Sequence, residues 1–184
     1  KSGNVASTLA LDVFVQEVKR TWTAGMKPDK VDNMLRAAVK LANFTVFDQS
    51  MQFPEFSGMG TTLVALLIHG NQATVINVGD SRAYCVDPEG ISRLTKDHSV
   101  VQLMVERGEL TPERARTYPG KNLITRAIGT ESMVDCDVFH LSLKRGDCLL
   151  LCSDGLSNMM DDQEILFEVA HGINKQYCCQ RLLD

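Results

Sequence analysis

The spacing of apolar residues changes at Gly58 and divides the 184-residue chain into helix-forming and strand-forming parts. Before this glycine, apolar side chains recur at helical spacing over residues 4–22 and again from Pro28 to Val46, which predicts two long amphipathic helices. After it, short apolar and β-branched runs alternate with turn residues and predict antiparallel hairpins. The chain must therefore pack helices against antiparallel sheet, which is an α+β architecture.

The strand-forming part contains seven candidate strands and further helices. Four strands follow one another as a predicted meander, and three more come later: residues 61–68, 73–78, 83–86, 91–94, 123–128, 138–143 and 148–152. Helices are predicted over 99–108, after the Thr111-Pro112 cap, from Asp161 or Asp162 to about Ala170, and over 175–183. The absence of repeats and linkers indicates one domain spanning residues 1–184.

Composition narrows the class of protein. The net charge is −4, which gives no reason to expect nucleic acid or an anionic membrane as a partner. The longest apolar run, residues 63–68, has the length of a strand and not of a bilayer span. The six cysteines include no Cys-x-x-Cys pair, which favours reduced core thiols and a cytoplasmic location.

Several kinds of catalytic nucleophile are excluded by their motifs. No cysteine has an arginine six positions later, and neither a Gly-x-Ser-x-Gly elbow nor a Walker phosphate loop occurs. The four histidines show no paired metal-ligand spacing and are predicted to be surface or turn residues: His69, His98, His140 and His171.

Two apolar strands run directly into a carboxylate, at Asp80 after Val75–Val78 and at Asp154 after Leu149–Cys152. Two such carboxylates placed together would repel each other, and a hard divalent cation such as Mg²⁺ or Mn²⁺ would remove that conflict. The alternative is that each aspartate only makes a turn, since Asp-Gly and Asp-Ser are common turn dipeptides. The residues alone leave both interpretations open.

Five motifs in order resemble those of metal-dependent serine/threonine protein phosphatases of type 2C, particularly the bacterial branch. They are Gly58-Met59-Gly60-Thr61-Thr62, Val78-Gly79-Asp80-Ser81-Arg82-Ala83-Tyr84, Lys96-Asp97-His98-Ser99, Asn122-Leu123-Ile124-Thr125-Arg126-Ala127-Ile128-Gly129 and Leu151-Cys152-Ser153-Asp154-Gly155-Leu156. The resemblance implies an antiparallel β-sandwich flanked by helices, in α-β-β-α layers. It also implies a binuclear Mn²⁺ or Mg²⁺ centre that hydrolyses phosphoserine and phosphothreonine in protein substrates with a metal-activated water.

The same resemblance assigns roles to individual residues. Asp154 resembles a catalytic ligand of a core metal, and Asp80 an accessory ligand of a weaker metal site. Residues 96–120 correspond to a mobile flap, whose charged run is either a solvated surface or a substrate contact. Gly60-Thr61-Thr62 is expected to be structural, and Arg82 to form an ion pair near the strand end.

The departures from the family pattern concern both chain ends. Family members carry an Asp-Gly-x-Gly-Gly motif before the first helix and an Asp-Asn motif near the end, whereas this sequence runs from Lys1 to Asp184 without either. We therefore expect a partial phosphatase domain, incomplete at both ends, with an incomplete metal site and little activity by itself. The alternatives are a catalytically dead pseudophosphatase that serves as a binding or regulatory module, and a strand-swapped dimer in which a second copy supplies the missing strands.

Overall fold

Two long helices open the fold in a computed structural model that describes residues 2–172 and 174–183. Helix α1 covers Ser2–Thr21 and helix α2 covers Pro28–Gln52, with Pro28 in the first turn as predicted. Small side chains such as Ala6, Ala10 and Ala38 are fully buried, which allows the two helices to pack closely. One turn of 3-10 helix follows at Pro54–Phe56.

Six strands form two antiparallel three-stranded sheets in the described residues. The strands are β1 (Leu63–His69), β2 (Gln72–Val78), β3 (Arg82–Asp87), β4 (Gly90–Arg93), β5 (Asp137–Ser142) and β6 (Cys148–Cys152). The first sheet has the order β1-β2-β5 and the second the order β4-β3-β6. The register pairs Leu63 with Val78 in the first sheet and Arg82 with Cys152 in the second.

Five shorter helices complete the described chain. They are α3 (Val100–Glu106), α4 (Pro112–Thr117), α5 (Asp154–Ser157), α6 (Asp162–His171) and α7 (Lys175–Leu183). The side chains of Ser99, Thr111 and Asp161 accept hydrogen bonds from the first backbone N–H groups of α3, α4 and α6. The predicted caps at Thr111 and Asp161 are thus confirmed. None of the helices in the described part of the chain is both long and apolar enough to cross a membrane.

The main core lies between the two long helices and the first sheet. Leu35, Val39 and Val46 of α2 are buried against Leu63, Ile76 and Val78 of the sheet, together with other apolar side chains of α1 and of the loops. On the other side, α6 contacts β3 and β4 and buries Ile165 completely. The expected α+β architecture, two antiparallel sheets with helices outside them, is confirmed.

Two predictions about the sheets were wrong in detail. The predicted meander is divided, because β1-β2 and β3-β4 are hairpins of different sheets and β2 does not pair with β3. The predicted strand over residues 123–128 is absent. Its backbone pairs with two separate segments, through isolated bridges between Thr61 and Ile128 and between Ser99 and Ile124. The same β-branched and apolar residues therefore connect two parts of the fold and form no ladder.

Candidate metal centre

Asp80 and Asp154 face the same cleft, although 73 residues separate them in the sequence. The cleft has a volume of about 570 Å³ and lies between residues 97–121, including helices α3 and α4, and the N-terminal parts of α5 and α6. A second recess, bounded by Gly60, Thr62 and Asn122, is also lined by both carboxylates. The two aspartates thus stand where the two depressions meet.

The pairing of β3 with β6 explains how the two carboxylates come together. Arg82, at the start of β3, lies opposite Cys152, at the end of β6. Asp80 precedes Arg82 by two residues, and Asp154 follows Cys152 by two residues. An antiparallel pair places these two segments at the same sheet edge, so the second sheet brings the aspartates to one place.

Asp80 follows a turn that requires glycine at residue 79. Gly79 has a φ of +106°, and a Cβ added there would lie 2.4 Å from Cγ2 of Thr62. The Thr62 hydroxyl is in turn 2.7 Å from the hydroxyl of Ser81, on the other side of Asp80. The backbone around Asp80 therefore fits closely against Thr62, which agrees with the structural role expected for the Gly60-Thr61-Thr62 motif.

Both backbone polar groups of Gly79 are bound by neighbouring residues. The Gly79 carbonyl accepts hydrogen bonds from the His98 backbone N–H at 2.9 Å and from Nδ2 of Asn77 at 3.2 Å. The Gly79 N–H donates to Nδ1 of His98 at 3.0 Å. Asn77 also donates to the Lys96 carbonyl at 3.1 Å. These bonds fix the turn from which the Asp80 side chain extends.

Asp154 is held in a different way, as the first residue of the short helix α5. Ser153 precedes the helix in extended conformation, and Asn158, one turn on, donates from Nδ2 to Oδ2 of Asp154 at 3.2 Å. The sequence interpretation missed this helix because its four residues are too few to show helical periodicity.

The electrostatics of the pair suit a cation. Burial raises the pKa of the Asp80 carboxyl, and the negative charge of Asp154 raises it further. A half-buried carboxylate beside a second carboxylate suits Mg²⁺ and Mn²⁺, which prefer hard oxygen ligands. Among residues 2–172 and 174–183 no group of three or more His, Cys, Asp and Glu side chains is arranged to hold a metal ion.

Arg82 forms the expected ion pair at the strand end. Its guanidinium donates from Nε and Nη2 to both oxygens of Asp97, the shortest contact being 2.6 Å, and from Nη1 to the Tyr84 hydroxyl at 3.1 Å. The Tyr84 hydroxyl donates to Asp162 at the start of α6. Burial raises the pKa of Tyr84 to about 12, so this hydroxyl stays protonated as the donor in that bond. These contacts join β3 to the opposite walls of the cleft.

His98 corrects the prediction that the histidines are surface or turn residues. It is only 5% exposed and contacts Gly79, Asp137 and Arg126. The other three histidines are half-buried or exposed. The signal that could have found His98 was its position inside the Lys96-Asp97-His98-Ser99 motif, directly before the Ser99 cap of α3.

Comparisons with known proteins agree with this geometry. The sequence pattern of the family described as Protein phosphatase 2C matches residues 1–178. The chain belongs to the protein phosphatase 2C family. The resemblance to bacterial type 2C phosphatases is confirmed, and it covers nearly the whole chain.

Individual relatives of this protein phosphatase 2C chain are bacterial. The serine/threonine phosphatase stp of Listeria monocytogenes is 36% identical over 165 residues, which cover 90% of this chain and 65% of that protein. The serine/threonine protein phosphatase PstP of Mycobacterium tuberculosis is 40% identical over 132 residues, covering 72% of this chain and 26% of that protein. The chain thus spans less than two thirds of the length of these curated relatives.

Solved structures show the same protein phosphatase 2C fold. A bacterial serine phosphatase superposes with a TM-score of 0.89 at 34% identity, covering 98% of this chain and 72% of that chain. The catalytic domain of the serine/threonine protein phosphatase PstP, crystallised in complex with two manganese ions, has a TM-score of 0.83 at 32% identity, covering 98% of this chain and 73% of that chain.

Proposed function

We propose that the protein containing this chain is a manganese- or magnesium-dependent phosphatase that hydrolyses phosphoserine and phosphothreonine in proteins. The observation that carries the proposal is the meeting of Asp80 and Asp154 in one cleft, with the pKa of Asp80 raised by burial and by its partner. The family membership and the names of the relatives support the reaction class. The six cysteines form no disulfide with one another in the described residues, which fits a cytoplasmic enzyme.

In this proposal Asp154 is the catalytic carboxylate that holds a core metal ion, and Asp80 holds an auxiliary one. Metal ions held by these residues would activate a water for attack on phosphorus and would stabilise the developing charge. The chain's own contribution is to hold two carboxylates on strand ends at one sheet edge. Residues 1–184 then act as one phosphatase unit. Because two carboxylates alone are too few for a binuclear site, we expect the isolated chain to hydrolyse little substrate.

The cleft also offers cationic side chains to a phosphorylated substrate. Arg116, at the C-terminal end of α4, and Lys121 line the same cleft as the two aspartates. Guanidinium and ammonium groups are the usual partners of phosphate and acidic peptide groups. This arrangement supports a phosphorylated protein as substrate, since Arg116 and Lys121 line the same cleft as the two carboxylates.

A phosphatase assay on the complete protein tests the proposal. With Mn²⁺ present, a phosphothreonine peptide should be hydrolysed, and a phosphotyrosine peptide of the same sequence should react much more slowly. A chelator should stop turnover, and excess Mn²⁺ should restore it. Turnover that continues in chelator would contradict the metal role. Failure of the complete protein to hydrolyse any phosphopeptide would support the alternative of a non-catalytic binding or regulatory module.

A further inference from the structure

We propose that His98 is a positioning residue for Asp80. It holds the Gly79-Asp80 turn through Nδ1, while Asp137, itself bound by Arg126, holds the imidazole ring through Nε2. The inference deepens the proposed function, on which it rests for the identity of the ion that Asp80 binds. The contacts themselves are independent of that function.

The first part of the arrangement is a pair of hydrogen bonds between His98 and Gly79. His98 donates its backbone N–H to the Gly79 carbonyl at 2.9 Å and accepts the Gly79 N–H on Nδ1 at 3.0 Å. Both polar groups of Gly79 are therefore bound by His98, with Asn77 as a second donor to the carbonyl, and Asp80 is the next residue along the chain. Gly79 has a φ of +106°, which glycine adopts more readily than other residues. The hydrogen bonds that hold Gly79 in this conformation therefore set the direction in which the Asp80 side chain leaves the turn.

The second part of the arrangement is the contact of Nε2 with Asp137, which fixes the tautomer of the imidazole. A ring nitrogen that accepts a hydrogen bond carries no proton, so the neutral His98 ring must carry its proton on Nε2. Nε2 lies 3.1 Å from Oδ2 of Asp137, and a carboxylate oxygen can only accept. The one tautomer that satisfies Asp137 is also the one that satisfies Gly79.

Arg126 completes the set by holding Asp137. Its Nη1 lies 3.0 Å from Oδ1 of Asp137 and 3.2 Å from Nε2 of His98. Since Nε2 already carries a proton, the hydrogen bond of Arg126 goes to Asp137. Arg126 belongs to the segment 122–129, whose residues Asn122 and Ala127 line the recess beside both aspartates. The position of Asp80 is thereby tied to the segment that follows the flap.

Two amide substitutions in the complete protein separate the contact of His98 with Gly79 from its contact with Asp137. In His98→Asn the side-chain oxygen can replace Nδ1 as acceptor for the Gly79 N–H, whereas in His98→Gln the side-chain nitrogen can replace Nε2 as donor to Asp137. Mn²⁺ titration by calorimetry should resolve a site whose affinity falls in Asp80→Asn. Its half-saturating Mn²⁺ concentration should rise about tenfold or more in His98→Gln and stay near the wild-type value in His98→Asn.

Asp137→Asn tests the tautomer by a second route. If the amide oxygen of the new side chain accepts the hydrogen bond of Arg126, its amide nitrogen faces Nε2 of His98 and requires an acceptor there. The ring proton must then move to Nδ1, where it opposes the Gly79 N–H. We expect Mn²⁺ affinity to fall as in His98→Gln. The imidazole ¹⁵N resonances should show an unprotonated Nδ1 in the wild type and a protonated Nδ1 in Asp137→Asn.

The matched control is His140→Gln, the same substitution at an exposed histidine of β5, the strand that also carries Asp137. Nε2 of His140 lies 2.9 Å from Oδ1 of Asp32 in α2, away from the two aspartates of the site. It should leave the Mn²⁺ titration unchanged. Equal loss of affinity in His98→Asn and His98→Gln, a protonated Nδ1 in the wild type, or no Asp80-dependent Mn²⁺ site would each overturn the proposal. Failure of the proposed function is seen separately, as wild-type protein that binds Mn²⁺ but hydrolyses no phosphopeptide.

Discussion

The two strand ends that carry Asp80 and Asp154 look alike in sequence but are built differently. Each has apolar strand residues, a small residue and then the aspartate. At Asp80 the preceding glycine takes a positive φ, and both of its polar groups are bound within the protein. At Asp154 the carboxylate opens a four-residue helix and accepts one hydrogen bond from the exposed Asn158. The same residue pattern therefore yields one carboxylate that extends from a turn bound by its surroundings and one that depends on a short local helix.

Because the two turns are packed differently, substitutions near the two aspartates should have different effects. Changes near Asp80 disturb a closely packed turn and should affect both folding and metal affinity. Changes near Asp154 meet little packing and should act mainly through the carboxylate itself. Matched substitutions at the two strand ends test whether packing makes the two aspartates respond differently.

The largest expected effect comes from removing each carboxylate in turn. In the complete protein, Asp154→Asn should lower Mn²⁺-dependent phosphopeptide turnover more than about 100-fold, since loss of a direct ligand should exceed the cost of losing an outer partner. Asp80→Asn should lower it about tenfold, with partial recovery at high Mn²⁺, because an auxiliary site is weakened. Steady-state kinetics across a Mn²⁺ series would measure both.

The control for this pair is Asp12→Asn, the same chemical change at an exposed carboxylate of α1. It should have wild-type kinetics. Near-normal turnover in Asp154→Asn, or a larger loss in Asp80→Asn than in Asp154→Asn, would reverse the roles that we propose for the two aspartates.

The second expected effect concerns the glycines beside the aspartates. Gly79→Ala should lower the free energy of unfolding by about 2–4 kcal/mol, because the new Cβ meets Thr62 at 2.4 Å in a backbone conformation that favours glycine. Gly155→Ala should change it by less than about 1 kcal/mol, since its nearest contact, at 3.4 Å, is the Ser153 hydroxyl and alanine suits a helix. Urea unfolding of both variants compares them, and equal costs would show that the two turns are equally packed.

Much of the fold could be predicted from periodicity, whereas the pairing of strand-like segments could not. The long helices and most strands follow from apolar spacing that one segment displays by itself. The residues 123–128 were predicted as a strand because they are β-branched and apolar, but whether such a run joins a ladder depends on distant partners. Here those partners are Thr61 and Ser99, which each form one isolated bridge.

The site was predictable to a similar degree. Asp80 and Asp154 were identified because each ends an apolar strand, and the β3–β6 register that joins them depends on tertiary structure. His98 could not be separated from the other histidines by its spacing, since its role comes from Gly79 and Asp137, which lie 19 and 39 residues away. Charge–charge coupling between the aspartates likewise exists only after folding.

The smallest expected effect is on the stability of the metal-free protein. Because burial and Asp154 raise the pKa of Asp80 in the fold, the folded state binds the Asp80 proton more tightly than the unfolded state does. This contribution is present below the unfolded pKa and is lost as pH rises through the raised pKa. Asp80→Asn should therefore raise the metal-free melting temperature slightly at neutral pH, with the gain disappearing in acid. Added Mn²⁺ should reverse the order by stabilising only the wild type. A melting temperature of Asp80→Asn below that of the metal-free wild type at neutral pH would contradict this. It would mean that the Asp80 carboxylate stabilises its turn and is not destabilised by burial and by the charge of Asp154.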